Sequence, residues 1–272
     1  MACLALGTHG VSNALTDAGL ARLAKMQLAD GRVAVSSQTP SASWPTGLAA
    51  LAWLKASDAA RERHRTNATR AIDWLFSAQG TAFRADPNVY GHNTTLTGWP
   101  WVDGTHTWVE PTAYALMALR AAKQQEHTRY REAVALIYDR MIDGGGWNYG
   151  NRRMFAALLR PFPAPTGIVL TGLAGEQRNA NVDASIEYLA KELRGMTSAV
   201  SLAWGLIGLT TWHDRPREAD AWLARSAAMQ SQDAPSPLEN ALLLLAASGD
   251  GELSPFSPPR NEATSMTSRT DE

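Results

Sequence analysis

The chemistry-bearing side chains of this chain gather in one stretch, where Trp99, Trp101 and Trp108 alternate with Asp103, His106 and Glu110 ahead of the apolar run Pro111-Thr-Ala-Tyr-Ala-Leu-Met-Ala-Leu119. A carboxyl group walled by indoles loses hydration in its charged form, so its pKa rises and it becomes a competent acid. Glu110 is the candidate for that role, with His106 upstream to orient it. Asp103 is a second carboxylate able to complete a pair for general acid–base work. A structural explanation stands beside each. Glu110 can cap a helix beginning at Pro111, gaining from the macrodipole and free backbone N–H groups, and Asp103-Gly104 can be a plain turn. The candidate substrate-binding residues are aromatic: Trp44, Trp99, Trp101, Trp108, Tyr114, Trp147, Tyr149 and Trp204.

Other chemistries find little support. The glycine run in Asp143-Gly-Gly-Gly-Trp-Asn-Tyr149 lacks the strand–helix setting and the lysine of a phosphate-binding loop, so Trp147 and Tyr149 read as cavity rim or repeat packing. The six histidines form no His-x-x-x-His or Glu-x-x-His pattern, and neither a dedicated metal site nor a cofactor is expected. Gly-x-Ser-x-Gly is missing, and with it a hydrolase signal. Arg61, Arg63 and Arg65, with Arg152 and Arg153, offer local positive charge for a diphosphate; a solvated helix face explains the first three better.

Composition narrows the class further. With 45% hydrophobic residues, 19% charged residues and a net charge of -1, the chain reads as an ordinary globular protein with no basic stripe for nucleic acid. Cys3 is its one cysteine, which excludes an internal disulfide. No secretory signal and no run long enough to span a bilayer is visible, so a cytoplasmic location is expected, compatible with peripheral membrane contact. Ten tryptophans against five phenylalanines suggest aromatic walls around a ligand.

These residues need elements to hold them, and a repeat supplies those. Apolar, small-residue runs begin at Pro45, Pro111, Pro165, Ser201 and Glu239. Amphipathic segments around Leu20–Gln27, Ala71–Gln79, Ala133–Met141, Ile186–Leu193 and Ala219–Arg225 lie between them. The tightest spacing, 36 residues between Pro165 and Ser201, marks a helical-hairpin repeat. Apolar helices alternating with amphipathic ones are satisfied by an inner ring with an outer layer. The expected fold is all-α: an α/α toroid, incomplete or a single α/α barrel, of about five hairpins over residues 1–248. Residues 80–110 form a long insertion of functional type. Residues 249–272, rich in Ser, Pro, Thr and Glu, are expected to be disordered.

The pattern resembles the superfamily of squalene-hopene cyclases and protein prenyltransferases. Leu23-x-x-x-Gln27-x-x-Asp30-Gly31, Leu75-x-x-x-Gln79-Gly80 and Met141-Ile-Asp-Gly-Gly-Gly-Trp147 look like degenerate Gln/Trp repeat motifs, and the apolar runs start with Pro-Thr-Ala/Gly. The resemblance implies an α/α toroid with an aromatic-lined central cavity for an isoprenoid or other apolar chain. It also implies acid-initiated cyclisation, with Glu110 at the central position of the cyclase acid motif; Trp108 and Pro111 stand where that motif has flanking aspartates. The prenyltransferase zinc site does not carry over, because Cys3 lies outside the repeats. A complete toroid of this family has six hairpins, so a homo-oligomer or partner subunit is a further expectation. Two other readings stay open: a non-catalytic toroid binding lipid or protein, and a carbohydrate-active α/α barrel using Asp103 and Glu110, or Asp143, as a carboxylate pair.

Overall fold

A computed structural model describes residues 1–10, 13–154, 157–230, 236–249 and 254–257. They form an all-α protein with one two-stranded hairpin, β1 (Arg153–Met154) and β2 (Ala157–Leu158). Each apolar run of the repeat is a helix: α3 (Pro45–Leu54), α7 (Val109–Ala121), α9 (Pro163–Gly172), α11 (Ala199–Thr211) and α13 (Pro237–Ala247). The amphipathic segments are α2 (Asn13–Met26), α5 (Arg65–Ser77), α8 (Thr128–Asp139), α10 (Ala180–Glu192) and α12 (Ala219–Ala228). Short α4 (Asp58–Arg63) precedes α5, and α6 (Pro87–Tyr90) lies in the long insertion. The sequence pattern missed α1 (Ala2–Thr8), which packs against both α2 and α13.

The apolar helices touch in succession: α3 against α7, α7 against α9, α9 against α11, α11 against α13 and α13 against α1. Glycines set how closely they approach. A Cβ on Gly167 would lie 2.2 Å from the Trp204 carbonyl oxygen of α11, and one on Gly47 would lie 2.8 Å from the Tyr114 carbonyl of α7. Backbone meets backbone at both crossings, which only a residue without a side chain permits.

The repeated threonine has a physical reason that the sequence alone did not reveal. Thr46, Thr112 and Thr166 are buried, and their hydroxyls accept the backbone N–H groups of Val33, Trp99 and Trp147 at 2.9, 3.1 and 2.9 Å. Each threonine thus ties the segment that enters an apolar helix to that helix's first turn, satisfying a buried donor that would otherwise destabilise the fold. Tryptophans do the same in the opposite direction. The indoles of Trp53, Trp99, Trp147 and Trp212 donate to the carbonyls of Leu20, Leu75, Ile137 and Leu170.

Two sequence expectations change here. Four of the five apolar helices begin two residues earlier than their repeat signature, so α7 starts at Val109 rather than Pro111. Its Pro111 still falls within the first turn, where its missing N–H leaves no bond unmade. The expected disordered tail does not hold for Ser254–Ser257: Phe256 is 1% exposed and its carbonyl accepts from the buried Arg120 at 2.9 Å. Arg120 also donates to the carbonyls of Gly172 and Thr171 at the end of α9. Residues 250–253 and 258–272 of that tail lie outside the described residues. Arg61, Arg63 and Arg65 are exposed and pair with Asp58, Asp17 and Glu62, as a solvated face requires. Among the described residues no helix is long and apolar enough to cross a membrane.

Candidate functional site

The start of α7 brings Glu110 and Tyr114 onto one helix face, four residues and about one turn apart. Trp44, at the N-cap of α3, lies with its ring 6.0 Å from Tyr114 and 5.2 Å from Trp101 of the long insertion. Tyr114 continues the row inward to Trp204 of α11 at 6.0 Å, and Trp204 to Phe256 at 5.7 Å. Five aromatic rings therefore succeed one another at contact spacings typical of favourable ring pairs. Trp44 and Trp101 at the outer end are half-buried, whereas Tyr114, Trp204 and Phe256 are buried.

Glu110 sits beside this row with no ion pair or hydrogen bond to its carboxyl among the described residues. Burial pushes that carboxyl up to about 7, and its charge in turn helps raise the Tyr114 phenol well above its ordinary value, after burial itself. The N-terminus of α7 favours a carboxylate by about 0.3–1 kcal/mol, which is less than the desolvation it opposes. Glu110 is not the helix cap: Trp108 holds that position, and Glu110 lies one residue inside the first turn.

The other expected site residues are placed elsewhere. Asp103 accepts from Arg32 with one carboxyl oxygen and from Ser43 with the other, while its own N–H donates to the Ser41 carbonyl. It fastens the insertion to the segment before α3, and forms no contact with Glu110. His106 is exposed, lies 4.6 Å from the Trp108 ring and lines a separate cavity; no hydrogen bond joins it to Glu110. The chain turns into α7 between the two, and the indole of Trp108 takes the histidine's contact.

Trp99 and Trp147 are core residues, 2% and 0% exposed, spent on the indole bonds to Leu75 and Ile137. The Arg129 guanidinium covers the Trp99 ring at 4.6 Å. Tyr149 is 52% exposed and leans on Phe162, 5.7 Å away, outside the aromatic row. Asp143 is exposed and paired with Arg152. Sequence reasoning missed Phe256, although it is the single aromatic residue of the polar stretch 249–272. No group of three or more His, Cys, Asp or Glu side chains suited to a metal ion occurs among the described residues. The sequence matches no protein-family model and no curated protein.

Proposed function

We propose that the chain is a single α/α toroid akin to the terpenoid cyclases and protein prenyltransferases. Its aromatic mouth takes up an isoprenoid-like apolar chain and meets the polar end of that chain with Glu110. The succession of apolar helices from α3 through α13 to α1, with α2 touching both α1 and α3, supports the toroid. It also offers α1 as the element in the sixth position, without a partner subunit.

One observation carries the functional reading: Glu110 is a half-buried carboxyl without an ion pair or hydrogen bond among the described residues, held near 7 beside Tyr114 of the aromatic row. A group with that pKa exchanges protons at neutral pH and both donates to and accepts from a hydroxyl. It is a weak acid, suited to an alcohol or enol and far weaker than protonation of an unactivated alkene demands. Binding, with proton transfer to an oxygen, therefore fits the site better than acid-initiated cyclisation. A carboxylate pair for sugar hydrolysis is less well supported, because both oxygens of Asp103 are already engaged.

Titration with a linear isoprenoid alcohol, followed by intrinsic tryptophan fluorescence, tests the proposal. Saturable quenching is expected, weakened at least tenfold by Trp101→Ala and by Glu110→Ala. Absence of saturable binding, or equal binding by both variants, removes it.

A further inference from the structure

A cavity of about 450 Å³ lies between the long insertion, the end of α8 and the β1 strand. Neither Trp44, Trp101, Glu110 nor Tyr114 lines it. Its volume falls within the range of small-molecule sites, about 300–1,000 Å³. Phe83, Tyr90 and Met154 give it an apolar body, and its basic residues are His92, His106, Arg140 and Arg153.

Those groups are unusual in what they leave unmade. His92 is 7% exposed and its Nδ1 is buried without a hydrogen-bond partner. Arg140, at the end of α8, is 6% exposed. Its terminal nitrogens donate to the carbonyls of Gly150 and Asn93, but its Nε, 3.3 Å from Asp139 Oδ2, is aligned on no acceptor. Asp139 meanwhile accepts the Asn93 N–H. Arg153 is exposed, with no ion pair among the described residues, and its aliphatic stem lies across Gly91. A Cβ there would come within 3.0 Å of the Arg153 Cγ, and Gly91 has a φ of +73°.

The charges that act on His92 are positive, while Asp139 answers Arg140. Burial is the largest influence on His92, and after it the positive charge of Arg140, with a smaller part from Arg152, pushes the imidazole down, to about 4, against an opposing pull from the Tyr90 carbonyl. No carboxylate contributes to holding His92 charged. At neutral pH it is therefore a neutral imidazole with a single N–H, which the Tyr90 carbonyl attracts, and an anion beside the unmatched Nδ1 draws a proton onto that nitrogen.

We infer that this cavity is a binding site for an organic anion, a carboxylate or phosphate head on a compact apolar body. The head would meet Arg153 and His92 beside Arg140, and the body would lie against Phe83, Tyr90 and Met154. The anion gives the buried His92 Nδ1 a partner once that nitrogen carries a proton and offsets the positive charge of Arg153, which a neutral ligand of the same shape does not. The site does not depend on Glu110.

Isothermal titration calorimetry of the full chain with 1-naphthoate, 1-naphthyl phosphate and the neutral 1-naphthalenemethanol tests this. One of the two anions or both should bind at least tenfold more tightly than the alcohol, and the better of them identifies the head group. Arg153→Gln, at an exposed position that leaves folding intact, should abolish that preference, and His92→Phe should weaken the anion tenfold. Glu110→Gln should change neither. In an NMR titration the His92 pKa should rise when the anion binds. Equal affinity for the alcohol, no binding of any of the three, or an undiminished preference in Arg153→Gln overturns the inference.

Discussion

Replacing Glu110 by Gln should make this protein more stable, and only above a definite pH. A carboxyl that moves from an ordinary 4.5 when unfolded to about 7 when folded takes up a proton on folding. Its folded pKa is raised, so stability is unaffected below about 4.5, declines as pH climbs through the interval up to 7, and is lower by a constant amount above it. The full displacement corresponds to about 3 kcal/mol, and the solvent that reaches this half-buried group reduces it to about 2 kcal/mol. Glutamine occupies the same volume and cannot ionise, so the variant escapes that deficit. At pH 8 its melting temperature should exceed that of the parent by roughly 4–8 °C, at about 2–4 °C per kcal/mol for a chain of this size; at pH 4.5 the two should coincide. Circular dichroism melts at the two pH values provide the measurement. If the macrodipole of α7 outweighed desolvation, the variant would instead be the less stable protein at pH 8. That sign, or a difference independent of pH, would refute the reasoning.

Three further substitutions probe the framework. Thr166→Val keeps the shape but leaves the buried Trp147 N–H without its acceptor, and should cost about 1–3 kcal/mol in urea unfolding. Gly167→Ala drives a methyl group to 2.2 Å from the Trp204 carbonyl oxygen; the loss should exceed the roughly 1–3 kcal/mol of ordinary overpacking and appear as failure to recover folded protein. Phe256→Ala should destabilise the chain by about 3–5 kcal/mol, whereas a dispensable tail would melt unchanged.

Much of the framework can be read from the sequence because the repeat repeats its physics. Pro-Thr-Gly at 45 and 165, and Pro-Thr-Ala at 111, mark the same buried hydroxyl and the same close crossing. The site is less legible, since spacing does not say which way a loop residue turns. Trp99 and Trp101 are two positions apart, yet one is sealed in the core by Leu75 and the other stands at the mouth against Trp44. His106 is near Glu110 in sequence and lines a cavity that Glu110 does not reach. The indole neighbours of Glu110 are visible in the sequence, but the burial that raises its pKa comes from the folded surroundings and is not. Phe256 was hidden by the composition around it, because the average of a polar tail conceals one anchoring ring.

The contact of α1 with α13 has a consequence for how the protein is made. His9 donates to the Leu244 carbonyl at 2.9 Å across 235 residues of chain, and Phe256 reaches its place beside Trp204 later still. A ribosome releasing the chain in order delivers α1 long before α13, one of the two helices that pack on it, exists. Until α13 emerges, the side of α1 that meets it has no cover, and pairings so distant in sequence form slowly. The seam between α1 and α13 therefore closes late, and a slowed ribosome or a missing chaperone should be felt there.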